Sequence, residues 1–137
     1  MRRSHARAIE AADAQLFRAF WHNLTIAAAV VDRFGRIERL NPGMEHLLGY
    51  PAAAWVVAPF EFLLDNRDKS RGRALLADLL HGRETPVAIE VRFRRRDRSI
   101  FWGRIRSCAI PPPPDRCAGA LLVVEEITDL YGGHDSA

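Results

Sequence analysis

The sequence predicts an α+β domain: a five-stranded antiparallel sheet with short helices on one face and an amphipathic helix at the N-terminus. Three observations lead there. Apolar residues recur at helical spacing near the start, two strand-like segments precede a helical middle, and three strand-like segments follow it. Hairpins segregated around a helical middle imply an antiparallel sheet with the helices gathered on one side.

Ser4 can cap the first helix, in which Ile9, Ala12, Leu16 and Ala19 recur at spacings of three and four, with Phe17 and Phe20 beside them. That stripe is narrow and alanine-rich, so it buries little alone and suits another surface or a copy of itself. Ile26 to Val31 is a buried-strand run, Asp32-Arg33-Phe34-Gly35 supplies turn chemistry, and Arg36 to Leu40 alternates polar with apolar, which reads as a hairpin. Asn41-Pro42 marks a helix start, because the asparagine side chain can accept from free amides and proline at the first helical position gives up no needed donor. Met44, Leu47 and Leu48 form the buried side of that helix, and Gly49 ends it.

Tyr50 to Leu64 carries Trp55, Val56, Val57, Phe60, Phe62 and Leu63 between Pro51 and Pro59, the pattern of short irregular helices with aromatic packing. Asp68 to His81 reads as a longer helix, with Leu75/Leu79 and Leu76/Leu80 stacked and Gly82 at its end. From Pro86 the period becomes two. Ile89, Val91 and Phe93 alternate with Glu90, Arg92 and Arg94. After the turn at 95–99, Phe101, Gly103, Ile105 and Ser107 share an inner face while Trp102, Arg104 and Arg106 point out. Pro111 to Pro114 breaks that strand. In the last strand, Ala118 to Ile127, Ala120, Leu122 and Val124 face one way and Leu121 and Val123 the other, as in a central strand covered on both sides.

At 137 residues, 48% hydrophobic and 27% charged, the chain is sized for one domain with its own core, and a large multidomain enzyme is excluded. The boundaries read as 1–22 for the amphipathic helix, 23–130 for the domain and 131–137 for a flexible tail. No apolar run approaches the roughly 20 residues that cross a bilayer, and no signal-peptide core follows Met1, so a cytoplasmic, non-membrane address is expected. A net charge of +3 implies no polyanion partner by itself. Cys108 and Cys117 lack metal-ligand spacing, which argues against zinc; they flank a proline-rich turn, and in a reducing cytosol two thiols are favoured over a bridge. No GxSxG, HExxH or phosphate-loop spacing occurs, and His22, His46 and His81 fall on separate elements, so no catalytic residue is named and a non-enzyme is expected.

From about Phe17 to Asp129 the chain resembles the PAS sensory domain family. The residues that carry the resemblance are Val30-Val31-Asp32-Arg33-Phe34-Gly35-Arg36-Ile37, then Asn41-Pro42-Gly43-Met44-Glu45-His46-Leu47-Leu48-Gly49-Tyr50, Phe101-Trp102 after a charged turn, and Glu126-Ile127-Thr128-Asp129. Glu126 stands for the usual aspartate and Arg98 for the usual hairpin glycine. The resemblance implies a sheet whose concave side and short helices enclose a pocket, used to sense ligands or to dimerise in signalling proteins. In light-sensing relatives the flavin-reactive cysteine would fall at Phe60, and polar flavin contacts at Phe93, Gly103 and Val124. In haem-binding relatives the iron ligand would fall near Gly72, and His81 lies some nine residues later. Neither flavin nor haem is expected, and no cofactor is named; an unidentified small apolar ligand remains open.

Two regions are singled out. The inner face gives a candidate ligand pocket of Val30, Asn41, Leu47, Phe62, Val91, Phe93, Gly103, Ile105, Ser107 and Val124, which small Gly103, Ser107 and Ala120 leave partly empty unless Phe60, Phe62, Trp55 and Met44 fill it. The outer face carries Trp102, Leu121 and Val123, whose exposure would forfeit about 25 cal/mol per apolar Å². The first helix, through Ile9, Leu16, Phe17 and Phe20, is the expected cover, either within one chain or from the partner in a homodimer. Arg92, Arg94, Arg96, Arg98, Arg104 and Arg106 form a basic hairpin, read as a solvated face rather than a nucleic-acid site. Glu126, Thr128 and Asp129 form the expected signal junction to a kinase, cyclase or transcription-regulator output domain. The functional expectation is a dimeric sensory module, with a ligand-free interaction scaffold or a nucleic-acid-binding hairpin as alternatives.

Overall fold

The structure is a computed structural model that describes residues 2–110 and 119–127; within the first helix, side chains are described for 11–12 and 14–21. Cys117, Pro111 to Pro114, Thr128, Asp129 and the tail 131–137 lie outside the described residues, as does the side chain of Ile9. The elements are α1 (Arg2–Trp21), β1 (Ala27–Val31), β2 (Ile37–Leu40), α2 (Pro42–Leu48), α3 (Lys69–Leu80), β3 (Ile89–Arg94), β4 (Ile100–Ile110) and β5 (Gly119–Glu126). Three 3-10 turns, at Ala52–Ala54, Phe60–Leu63 and Asn66–Asp68, fill the stretch between α2 and α3. The strands form one antiparallel sheet in the order β2-β1-β5-β4-β3, so β5 is central as its two apolar faces predict.

Strict alternation fails in β2. Val30 pairs with Arg39 but Val31 pairs with Ile37, so Glu38 is an extra residue and the strand bulges. The bulge lets Ile37 and Leu40, three apart, both reach the core. α1 begins at Arg2, which puts Ser4 inside the helix rather than at its cap; the surrounding Arg and Ala are strong helix formers and need no cap there.

Asn41 fastens α2 to the sheet. Its Oδ1 accepts from the Met44 N–H, as an N-cap should, and also from the Ala28 N–H, both at 2.8 Å, while Nδ2 donates to the Ile26 carbonyl at 2.6 Å. The helix start thereby lies so close to β1 that a Cβ on Gly43 would sit 2.0 Å from the Ile26 carbonyl oxygen. Gly49 closes α2 at φ 79°, a conformation that costs glycine nothing.

Both sheet edges are covered, which blunts the pairing tendency of free strands. Along β2, Ile37 exchanges main-chain hydrogen bonds with Val57 and Ala58. Along β3, Leu64 bridges to Phe93 and the Asp65 N–H donates to the Arg92 carbonyl at 2.8 Å. The β3–β4 turn closes through Arg98 N–H to the Arg95 carbonyl, with Arg98 at φ 72°.

Candidate functional site

The inner face is a filled core. Val91, Phe93, Phe101, Ile105, Ala120, Leu122 and Val124 are buried under Phe60, Leu63, Leu64, Met44 and Leu48. Phe93 stacks on Phe101 with centroids 5.2 Å apart and meets Phe60 edge-on at 6.4 Å. The volume missing at Gly103 is taken by the Phe93 ring, which a Cβ would meet at 2.6 Å. Thus Val91, Phe93, Gly103, Ile105 and Val124 come together as expected. Leu47 and Ser107 are half-buried beside them, and Leu47 packs on the core.

Three members of the predicted pocket stand otherwise. Val30 pairs with Leu121 and belongs to the outer face, because the side chains of β1 that reach the core are Ala27, Ala29 and Val31. Phe62 is 50% exposed: the 3-10 turn carries Phe60 and Leu63 inward and leaves Phe62 outside, under the Lys69 ammonium at 5.1 Å. Asn41 is buried, but its side-chain hydrogen bonds run to the backbone of β1 and α2.

On the outer face Val30, Leu121 and Val123 form a half-buried apolar patch, with Cys108, a free and exposed thiol, beside Leu121. Trp102 is separated from that patch by Arg104 and Arg106 and is capped by the Arg92 guanidinium, 5.0 Å above its ring. Among the described side chains of α1, the expected cover of this face is not made by Leu16, 69% exposed, or Phe17, 43% exposed. Its last turn is seated by Trp21, buried between Phe17 (5.9 Å, stacked) and the Arg39 guanidinium (4.7 Å). Trp21 and Phe17 are one helical turn apart, a spacing visible in the sequence.

The arginines of β3 and β4 are largely engaged with acids. Asp68, buried at the start of α3, takes a two-pronged contact from Arg92, and Asp65 accepts from Arg67 at 2.7 Å and Arg94 at 3.1 Å. Burial pushes both carboxyls up, but the hydrogen bonds outweigh it: those from Arg92 at Asp68, and those from Arg67 and Arg94 at Asp65. Both carboxyls are held below the usual carboxylate value. Arg104 pairs with Glu90 at 2.9 Å.

At the exit of β5, Glu126 is ion-paired to Arg95, whose Nε donates to the Leu47 carbonyl at 3.2 Å and whose guanidinium lies 4.3 Å over the Phe101 ring. The Ile127 N–H donates to the Trp102 carbonyl at 2.9 Å. Of the predicted junction, Glu126 is therefore placed on a hub that joins α2, the β3–β4 turn and the core. The contacts of Arg95 with Leu47 and Glu126, and the pairs of Arg94 with Asp65 and Arg92 with Asp68, had no sequence signal, since these partners lie 24 to 48 residues apart.

Among the described residues, no group of three His, Cys, Asp or Glu converges to hold a metal ion, and no helix is long and apolar enough to cross a membrane.

Comparison with known proteins matches this geometry. The signal transduction histidine-protein kinase AtoS of Escherichia coli is 30% identical over 106 residues, 77% of this chain, and the match spans 17% of the kinase's length. The PAS domain of a Colwellia psychrerythraea protein superposes with a TM-score of 0.71 at 24% identity, covering 85% of this chain and 97% of that one. The Rhodobacter sphaeroides LOV protein gives 0.66 at 22% identity, over 80% of this chain and 64% of that one. The family profile described as PAS fold matches residues 15–127, and with the five-stranded sheet, the helical middle and the Asn41 cap in place, the chain belongs to the PAS fold family.

Proposed function

We propose that this chain is the sensory and dimerisation module of a cytoplasmic signalling protein. In this reading it pairs with a second copy through α1 and the outer sheet face, and it passes conformational change through Glu126 to an output domain of the histidine-kinase class. The observation that carries the reading is a double one: among the described residues the apolar patch of Val30, Leu121 and Val123 is only half-buried, and Leu16 and Phe17 of α1 are exposed. A 20-residue helix is about 30 Å long, enough to lie across a partner's sheet. The similarity to a histidine kinase favours a kinase output over a cyclase or transcription regulator.

The module is read as non-catalytic and free of flavin and haem. Supporting this, Phe60 stands at the place of the flavin-reactive cysteine and is packed edge-on against Phe93. Gly72, near the place of the haem ligand, carries no imidazole, and Leu64 Cδ1 lies 2.4 Å from where its Cβ would be. The acid partners of Arg92, Arg94 and Arg104 favour a self-neutralised strand face over a nucleic-acid site. The free Cys108 thiol suits a reducing compartment.

Light-scattering mass tests the assembly. The native chain should have the mass of a dimer and Leu16→Asp, at an exposed position, that of a monomer with an unchanged circular dichroism spectrum. A native monomer, or a dimer that survives Leu16→Asp, overturns the interface.

A further inference from the structure

A cleft of about 590 Å³ lies between the end of α2 and the β3–β4 turn, bounded by His46, Leu47, Gly49, Arg95, Arg96 and Asp97. Two guanidinium groups, those of Arg95 and Arg96, border it against one rim carboxylate, that of Asp97. Three of the last four carbonyls of α2 are already engaged: Glu45 by the Gly49 N–H at 2.8 Å, Leu47 by Arg95 Nε, and Leu48 by the Arg96 N–H at 2.9 Å. The acid on the rim, Asp97, accepts from the Ser99 N–H at 2.8 Å. Arg96 is exposed, and its guanidinium makes no ion pair among the described residues.

Arg95 is the wall of this cleft and also the partner of Glu126, with its side chain 27% exposed. Its three nitrogens are divided among the Leu47 carbonyl, Ser99 Oγ at 3.3 Å and the Glu126 carboxylate. A guanidinium presents paired N–H edges that match a carboxylate. The group Arg95 already holds is a carboxylate, so the ligand able to replace it has the same chemistry.

We propose that this cleft binds a small organic carboxylate, with Arg96 as its first contact, and that Arg95 exchanges Glu126 for the bound anion. The inference rests on the sensory reading above and names a ligand class and a site for it outside the filled core. Exchanging one carboxylate for another on Arg95 is nearly neutral, so the bias must come from Arg96, which among the described residues has no acid partner to give up; a ligand shifts an equilibrium only by its difference in affinity for the two states. The exchange breaks the Arg95 link between the end of β5 and both α2 and the turn, at the last residues of the strand.

The test is calorimetric titration of the full chain with succinate, with uncharged succinamide as control. Succinate should bind and succinamide should not. Arg96→Ala should weaken succinate about tenfold, a loss of about 1.4 kcal/mol, whereas Glu126→Gln should tighten it several-fold because the internal competitor is gone. In ¹⁵N-edited spectra, succinate should move the Ile127 amide and the Arg95 Nε–H together. Succinate affinity unchanged in both variants overturns the inference, as does tighter binding of inorganic phosphate than of succinate, or no binding at all. A ligand that binds indifferently to Arg96 and Glu126 would leave the sensory reading standing and sink this site alone, while the dimer mass tests that reading separately.

Discussion

Asp68 and Arg92, 24 residues apart, are joined three ways: Arg92 Nε and Nη2 reach the two carboxylate oxygens at 2.9 and 3.0 Å, and the Arg92 main-chain N–H donates to the same carboxylate at 2.7 Å. One residue thereby ties the start of α3 to the β3 edge, while its guanidinium also caps Trp102, its cross-strand neighbour on β4. Asp68 and Asp65 both have carboxyls that ionise more readily in the folded chain. The unfolded chain therefore binds more protons at low pH. This stabilisation is complete above the unfolded carboxyl pKa, about 4, and is lost as pH falls through the lowered folded values. Urea midpoints should be flat from pH 7 to 5 and drop below about pH 4. Asp68→Asn should cost about 2 to 4 kcal/mol at pH 7, since it leaves a half-buried guanidinium short of its partner, and should make the acid limb shallower.

Gly103 is small because Phe93 lies over it, at 2.6 Å from the Cβ position, with Val124 Cγ1 at 3.2 Å. Gly103→Ala should destabilise by about 1 to 3 kcal/mol through overpacking. Phe93→Ala alone should cost about 3 to 5 kcal/mol through the cavity it leaves. The two together should cost less than the sum, since the added methyl no longer meets the Phe93 ring; a double-mutant cycle from urea unfolding checks the coupling.

Replacing Asn41 by Ala strands the Ala28 and Met44 N–H groups and the Ile26 carbonyl. The expected loss is about 2 to 4 kcal/mol, more than an exposed helix cap would cause. Amide exchange should speed most at Ala28 and Met44. A loss below about 1 kcal/mol would mean that Asn41 acts as a simple cap.

Val57 holds φ 68°, costly for a β-branched residue, yet its side chain is 72% exposed and its N–H serves the Ile37 carbonyl at 2.8 Å. Val57→Gly removes the strain and forfeits little packing. Net of the extra freedom of the unfolded chain, it should stabilise by about 1 kcal/mol, a rise in Tm of about 4 °C by calorimetry. A fall in Tm would show that the valine side chain contributes contacts worth more than the strain.

Periodicity and capping chemistry are local properties, and where they governed, the residues announced the structure. The Asn41-Pro42 start, the Gly49 stop, the inward row of Phe101, Gly103 and Ile105 and the two-faced central strand could all be read in advance, as could the family. Tertiary packing alone decided the rest. The Glu38 bulge and the 3-10 turns set which way Ile37, Leu40 and Phe62 point, and Val30 faces outward because of the register of β1. The Phe93 ring takes the space that Gly103 leaves. The ion pairs of Asp68 with Arg92 and Glu126 with Arg95 join charges far apart in the chain. A contact of that kind has no spacing rule, because its geometry exists only once the sheet and helices have packed.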